Sequence, residues 1–146
     1  MINTDTYIYE DAVSVKYNQD SSMPINSFLV YNRQLWVSTG YILYVFNITP
    51  GRKKNSYHLI MKKHIEDDHL LTMLGLTDYI WAGSSRGRIY TFRMDNYELV
   101  KTLDAHKDTV CCLCSMLDTY IISGSQELDT SIVVWENEQI TNLSHS

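Results

Sequence analysis

The feature that most constrains this chain is a pattern that occurs three times. In each occurrence an apolar strand is followed by a short turn, a strand carrying a tryptophan or isoleucine before small residues, a tight turn, and an aromatic-rich strand. The three segments are residues 27–48, 70–94 and 109–137. A repeat of this kind predicts stacked units, each of which buries its apolar face only against its neighbours.

Two sets of residues mark equivalent places in the three units. Trp36, Trp81 and Ile122 form the first set and are 45 and 41 residues apart. Phe46, Phe92 and Trp135 form the second set. The spacing is close to the period of a four-stranded propeller blade, about 40–45 residues.

The composition of the units is typical of strands. Runs such as "YILYVF" (41–46) and "SIVVW" (131–135) are β-branched and aromatic, and no segment keeps an apolar period of 3.6 residues for three turns. More polar strand candidates follow the units at 57–63, 98–103 and 139–144, and each is predicted to be an outer fourth strand. Residues 1–24 are predicted to be an edge strand or a linker. The fold class predicted from these patterns is all-β.

The third unit also carries a specific order of polar and aromatic residues. His106 follows Ala105, Ser123 and Ser125 flank Gly124, Asp129 lies in the next turn, and Trp135 precedes Glu136. This order resembles the WD repeat of the β-propeller class, which runs from Gly-His through Ser-Gly-Ser and a turn aspartate to Trp-Asp. Alanine and glutamate replace the first glycine and the last aspartate, and the turn is about two residues longer.

The other two units resemble the WD repeat less closely. In the second unit Lys63-His64 is aligned with the histidine position, Arg86 lies near the expected turn aspartate, and Phe92 replaces the tryptophan. The first unit matches only in its apolar pattern. The resemblance implies one domain over residues 1–146, a partial β-propeller of about three four-stranded antiparallel blades. The approximate blade bounds are 25–65, 69–106 and 109–145.

The resemblance also implies structural roles for four residues of the third unit. His106 would hydrogen-bond to Asp129 and to Ser123, and Ser123 would reach the indole N–H of Trp135. A buried polar network of this kind is tolerated when every member is satisfied. The alternative, an acyl-transfer triad of Ser123, His106 and Asp129, requires an exposed serine on a sharp elbow, whereas "YIISGSQ" indicates a strand end. We therefore predict that the chain is not an enzyme.

Three blades are too few to close a ring, because propellers typically have 4–8. Completion by further blades of a longer protein, or self-association, is therefore expected. The stretch at 33–46 also resembles the degenerate propellers of multidomain signalling proteins. The predicted function is a protein–protein interaction scaffold, with protein or peptide partners. The candidate partner-binding residues are exposed tyrosines and arginines near turns: Tyr41, Tyr79, Arg86, Arg88 and Tyr120.

Charge excludes one class of partner and leaves an alternative open. The formal net charge is −5, so no nucleic-acid partner is expected. The basic residues of 51–64 could form a phosphoinositide or membrane-surface module: Arg52, Lys53, Lys54, Lys62 and Lys63. A solvated loop is the preferred interpretation, since no membrane anchor or amphipathic helix accompanies it. Membrane binding is not predicted.

The three cysteines, Cys111, Cys112 and Cys114, lie on one predicted strand. Consecutive strand residues point to opposite faces, so Cys111 and Cys112 are predicted to face apart and to form no disulfide framework. Small buried thiols in a reduced, cytoplasmic protein are expected, and no metal or cofactor is predicted. Asp67 and Asp68 in "EDDH" are predicted to act in ordinary turn chemistry.

Overall fold

The computed structural model describes residues 23–126 and 128–136, and those residues form eleven β-strands and no helix. The first sheet comprises β1 (Ile25–Tyr31), β2 (Gln34–Thr39), β3 (Ile42–Thr49) and β4 (Ser56–His64). The second comprises β5 (Leu70–Leu76), β6 (Tyr79–Ser84), β7 (Arg88–Arg93) and β8 (Leu99–Asp104). The third comprises β9 (Val110–Met116), β10 (Tyr120–Ser125) and β11 (Ile132–Glu136).

Each sheet is antiparallel, with its strands in chain order. The all-β prediction is therefore confirmed, and the outer strands predicted at 57–63 and 98–103 are β4 and β8. The strand predicted at 139–144 lies outside the described residues, as does all but Met23 and Pro24 of the edge strand or linker predicted at 1–24.

The strand registers are the same in the three sheets. Trp36, Trp81 and Ile122 pair with Val45, Thr91 and Val134 on the following strand. The second set, Phe46, Phe92 and Trp135, pairs with Leu35, Ile80 and Ile121, which are the residues immediately before Trp36, Trp81 and Ile122. The two sets of equivalent residues therefore lie on opposite faces of each sheet, because successive strand residues alternate between faces.

The first strand of each sheet is interrupted at its second residue. Asn26, Leu71 and Cys111 are each left without a partner at a register shift near the start of β1, β5 and β9. An extra residue of this kind is a β-bulge, which bends its strand and increases its twist. Its recurrence at one position in all three sheets is a structural repeat that accompanies the sequence repeat.

The sheets stack face to face, and two hydrophobic clusters lie between them. The Trp36 face of the first sheet packs against Ile80 and Phe92 of the second. The Trp81 face of the second sheet packs in the same sense against Ile121 and Trp135 of the third. Burying these aromatic side chains is the main source of stability between the sheets, at about 25 cal/mol for each Å² of apolar surface.

The first strands of the three sheets lie next to one another. Ser27 Oγ donates to the carbonyl of Leu70 at 2.8 Å, and Tyr31 OH donates to the carbonyl of Thr77 at 3.1 Å. β1 and β5 therefore run in the same direction with their ends aligned. Gly75 is required at this approach, since a Cβ there would lie 2.4 Å from Cγ of Tyr31.

The outer faces of the stack differ. On the third sheet the side of Ile122 is open: Ile132 is 74% exposed and Val134 55% exposed. On the first sheet Val37, Tyr44 and Phe46 are buried, whereas Phe28 and Val30 are exposed. Among the described residues, no further sheet covers the Ile122 face.

Candidate functional site

The structure brings His106, Ser123, Asp129 and Trp135 together. The imidazole Nε2 of His106 is 2.9 Å from Ser123 Oγ, and the indole N–H of Trp135 donates to the same oxygen at 3.0 Å. On the other side of the ring, Nδ1 of His106 is 3.3 Å from Asp129 Oδ2. The side chains of His106 and Ser123 are fully buried. The network joins the loop before β9 to β10, β11 and the turn between them.

One arrangement of protons satisfies every member of this network. A neutral imidazole that carries its proton on Nδ1 donates to Asp129 and accepts at Nε2 from the hydroxyl of Ser123. The Ser123 oxygen then accepts from Trp135, so no buried donor is left without an acceptor. Ser131 Oγ, 3.2 Å from Nδ1, was missing from the sequence-based network. It closes the turn by donating to Asp129.

Asp129 is the ionised anchor of the turn. The Ser131 hydroxyl, the backbone N–H groups of Lys107 and Ser131, and the imidazole of His106 all donate to its carboxylate. These donors, the Ser131 hydroxyl most of all, hold the pKa of Asp129 well below its usual range.

The lowered pKa predicts an acid-dependent loss of stability. A carboxylate whose pKa is lower in the folded chain than in the unfolded chain stabilises fully above the unfolded value of about 4, and the stabilisation is lost as pH falls through the folded pKa. We expect the melting temperature of the wild type to exceed that of Asp129→Asn by a constant margin between about pH 7 and pH 5, and the gap to narrow as pH falls below about 4 towards about pH 2. Thermal melts from about pH 7 to about pH 2 would measure the gap, and a gap that does not narrow below about pH 4 would contradict the role given to Asp129.

Asp68 is a second polar centre, with more partners than the ordinary turn residue that was predicted. Its side chain has no solvent exposure. Oδ1 accepts from Ser85 Oγ at 3.0 Å and from the backbone N–H of Arg86 at 3.2 Å, and Oδ2 accepts from Tyr90 OH at 2.7 Å. Burial, and then this hydrogen bond, raise the pKa of Tyr90. Arg88 Nη1 lies 3.9 Å from Asp68 Oδ2.

The registers show which residue of the third unit corresponds to Asp68. Leu70 pairs with Ser84, and Val110 pairs with Ser125, so Leu70 and Val110 are equivalent. Counting back two residues, Asp68 corresponds to Asp108, whose carboxylate accepts from the N–H of Thr109 and of Leu128. Each aspartate thus holds the turn between the second and third strands of its sheet.

The alignment of Lys63-His64 with Ala105-His106 is wrong. His64 is the last residue of β4, and the residue four positions before Leu70, as His106 is before Val110, is Glu66. The second sheet therefore has no equivalent of the His106 network, and the buried carboxylate of Asp68 connects its loop, turn and third strand instead. The turn at Arg86 contains no aspartate, and the carboxylate of Asp68, from the preceding loop, accepts from the backbone N–H of Arg86 instead.

The prediction for the cysteines is also wrong in two respects. All three thiols are exposed. They belong to β9, whose sheet has no covering sheet on its Ile122 face among the described residues. Cys111 and Cys112 do not face apart, since their sulfur atoms are 3.6 Å from each other. Cys111 is the bulge residue of β9, and a bulge breaks the alternation of faces on which the prediction depended.

The predicted partner-binding residues lie at two opposite rims of the stack. The Arg86 rim carries Tyr41, Arg86 and Arg88 and is formed by the turns at 40–41 and 85–87, residues 126 and 128–131, and the loops at 65–69 and 105–109. The Tyr120 rim, formed by the turns at 32–33, 77–78 and 117–119, carries Tyr79 and Tyr120. Tyr79 packs in the second hydrophobic cluster, and Tyr120 is half-buried.

The Arg86 rim combines an exposed aromatic side chain with a groove. Tyr41 is 40% exposed and packs on His69, with 4.3 Å between ring centroids and an angle of 30° between the ring planes. Beside it, a groove of about 390 Å³ separates the first and second sheets. The groove is lined by basic, acidic and apolar side chains: Lys63, His64, Ile65, Glu66, Arg88, Tyr90, Leu99 and Thr102.

The basic residues predicted as a membrane module do not form one surface. Arg52, Lys53 and Lys54 lie in the turn before β4, whereas Lys62 and Lys63 lie near its other end, about 25 Å away at ~3.3 Å per residue. Lys62 Nζ lies 5.9 Å from the ring centroid of Tyr44, and Lys63 Nζ lies 5.7 Å from that of Phe92. The two lysines therefore point to opposite faces of the first sheet.

Two classes of site are absent from residues 23–126 and 128–136. No three histidine, cysteine, aspartate or glutamate side chains in these ranges are grouped so that they could hold a metal ion. The same ranges contain no helix long and apolar enough to cross a membrane.

No protein-family model matches the chain. DENN domain-containing protein 3 of Mus musculus is 31% identical over 134 residues, an alignment that covers 85% of this chain. The chain spans 10% of the length of that relative. Two computationally designed proteins are similar at 12% identity: Ika8, with a TM-score of 0.45 over 77% of this chain and 45% of its own, and Ika4, with 0.42 over 81% and 94%.

Proposed function

We propose that the chain is a WD-repeat-like protein-interaction scaffold without catalytic activity, and that it forms part of a β-propeller completed by further blades or by self-association. One observation carries the proposal: Ser123, His106 and Asp129, the residues of the alternative catalytic triad, are hydrogen-bonded in a network that connects the strands of the third sheet. Ser123 has no solvent exposure and already holds two hydrogen-bond partners, so it offers a substrate no nucleophile.

The propeller part of the proposal is supported by how the sheets are arranged. Three antiparallel sheets stack with their first strands adjacent, and the Trp36 and Trp81 faces pack in the same sense on the next sheet. The open Ile122 face of the third sheet is the equivalent of those two covered faces. A fourth sheet stacked on it would continue the series, which is how blades follow one another around an axis.

The hydrolase alternative is disfavoured by the same geometry. An acyl-transfer serine must approach a substrate carbonyl while donors stabilise the oxyanion. Ser123 lies inside the third sheet, and the indole N–H beside it is bound to the serine oxygen itself. Ester hydrolysis above background that is lost in a folded Ser123→Ala variant would support the enzyme.

The binding surface that we propose is the Arg86 rim. Its side chains are held in place before a partner arrives, which lowers the entropy lost on binding. His69 orders the ring of Tyr41, and Asp68 holds the backbone of Arg86 while leaving its side chain exposed. Tyrosine and arginine are enriched among the residues that contribute most to protein interfaces.

The length of the relative supports a place for these blades within a larger protein. The aligned segment is about a tenth of a mouse protein named for a DENN domain. We propose that the present chain likewise serves as an interaction module of a multidomain protein. The DENN domain of the relative's name forms no part of this proposal.

The rim assignment can be tested with a pair of matched charge reversals. Arg86→Glu alters the Arg86 rim, and Arg33→Glu makes the same change in an exposed turn at the Tyr120 rim. Proteins retained by the immobilised chain from a cytosolic extract would be quantified by mass spectrometry for the wild type and both variants. We expect a subset to fall at least about tenfold with Arg86→Glu and with Tyr41→Ala, a loss of ~1.4 kcal/mol, and to be kept by Arg33→Glu.

Equal retention by the wild type and all the variants would remove the Arg86 rim as the binding surface. Loss with Arg33→Glu alone would move the interface to the other rim. Melting temperatures within a few degrees of the wild type would show that a loss reflects the surface and not unfolding.

A further inference from the structure

A pair of neighbouring thiols lies at the bulge of the third sheet. Cys111 Sγ and Cys112 Sγ are 3.6 Å apart, and both residues are exposed. The equivalent bulges of the first and second sheets carry Asn26-Ser27 and Leu71-Thr72, so only the third sheet has thiols there. The bulge thus brings together two reactive groups that a regular strand would direct to opposite faces.

The surroundings leave the pair room to move. Gly124 pairs with Cys112 on the neighbouring strand. A Cβ at this position would lie only 3.1 Å from Cys112 Sγ, so the glycine leaves the thiol space that a side chain would occupy. A shallow cavity of about 140 Å³ opens beside Cys112 on the Ile122 face of the sheet. Cys111 has one further polar contact, from its thiol to the Gly124 carbonyl at 3.5 Å.

We propose that Cys111 and Cys112 form a reversible dithiol–disulfide pair that exchanges with small-molecule disulfides such as oxidised glutathione. The thiolate of Cys111 attacks one sulfur of the glutathione disulfide, forms a mixed disulfide and expels one glutathione thiolate. The thiolate of Cys112 then attacks the Cys111 sulfur and expels the second. Two protein thiols are oxidised, one disulfide is reduced to two thiols, and the two protons pass to the departing thiolates.

The contacts of Cys112 favour one order of attack. A hydrogen bond with Cys111, and then burial, raise the pKa of the Cys112 thiol. The thiolate is the nucleophile in thiol–disulfide exchange, so a thiol that keeps its proton attacks later. We assign Cys112 the resolving role, and the exchange itself requires only the 3.6 Å separation of the two sulfur atoms.

The product is predicted to be easily reduced. Consecutive Cα atoms are about 3.8 Å apart, below the range of about 4.4–6.8 Å usual for disulfides. The sulfur atoms must also approach to about 2.05 Å. Strained and exposed disulfides are the labile ones, so excess reduced glutathione should restore both thiols.

The test is incubation of the folded chain with oxidised glutathione, followed by intact-mass and peptide mass spectrometry. We expect the wild type to lose two hydrogens through a Cys111–Cys112 link and to regain them in excess reduced glutathione. Cys114→Ser is the matched control and should behave like the wild type. Cys111→Ser and Cys112→Ser should instead keep a stable glutathione adduct.

Two results would overturn the proposal: a wild-type chain that stops at stable mixed disulfides, or a link between Cys112 and Cys114. Titration with phenylarsine oxide, which captures two close thiols, gives a second measurement. One equivalent should be retained by the wild type and by Cys114→Ser, and binding should fall at least tenfold in the other two variants. The serine variants should melt as the reduced wild type does, because serine nearly matches cysteine in size.

Discussion

Replacing Asp68 with alanine is expected to lower the free energy of unfolding by about 3–5 kcal/mol. The change removes one acceptor that serves the hydroxyls of Tyr90 and Ser85 and the backbone N–H of Arg86. Tyr90 is only 6% exposed, so its hydroxyl loses the acceptor that satisfies it inside the sheet stack. A buried donor without an acceptor costs about 1–3 kcal/mol. The ion pair with the half-exposed Arg88 adds little beyond this.

Chemical denaturation of the wild type and Asp68→Ala would measure this loss. Asp67→Asn is the matched control, because Asp67 is an exposed neighbour with φ of 48°, a conformation that asparagine tolerates. It should change stability by no more than about 0.5 kcal/mol. Similar effects of the two substitutions would show that Asp68 does not hold the turn.

Tyr90→Phe separates the contributions of the donors to Asp68. It removes the buried hydroxyl but leaves the carboxylate with the Ser85 and Arg86 donors. We expect a loss of about 1 kcal/mol, and a smaller further loss in a background that already lacks Asp68.

The second large effect is expected at His106 and Trp135, where His106→Ala or Trp135→Phe should each cost about 1–3 kcal/mol. Removing the imidazole leaves the Ser123 hydroxyl without its buried acceptor and Asp129 without one donor. Removing the indole N–H leaves the Ser123 oxygen with one partner fewer. Thermal or chemical denaturation would measure both changes.

A double-mutant cycle would test whether these residues act as one network. The side chains of His106 and Trp135 both contact Ser123. The double variant His106→Ala/Trp135→Phe should therefore lose less unfolding free energy than the sum of the two single variants, with a coupling energy above about 0.5 kcal/mol. Additive effects, or melts unchanged by both substitutions, would contradict the fastening role.

Much of the strand structure could be predicted from the sequence because it depends on local patterns. Three units with the same order of apolar and turn residues become three antiparallel sheets, and the residues matched as equivalent pair in the same register. The outer strands β4 and β8 were also predicted, as more polar strand candidates that follow the first and second units. A residue's place on a strand depends mainly on its neighbours in the chain.

The errors occurred where placement depends on distant contacts. Asp68 was treated as an ordinary turn residue, but it binds Tyr90, 22 positions away. Lys62 and Lys63 were grouped with the loop at 52–54, but they lie near the far end of β4, most of the strand's length away from that loop. The five candidate binding residues were treated as one set, and the antiparallel course of the strands divides them between two rims. Spacing along the chain carries no signal for these distances.

By itself, the sequence determined that this chain forms strands, where they turn and which positions repeat, because side-chain size, branching and polarity act over a few residues. Tertiary structure decided the rest. It buried Asp68 and Ser123, exposed the cysteines, and brought Cys111 and Cys112 together through one extra residue in β9. Burial and proximity are properties of stacked sheets, and a single inserted residue reverses the face on which a side chain lies.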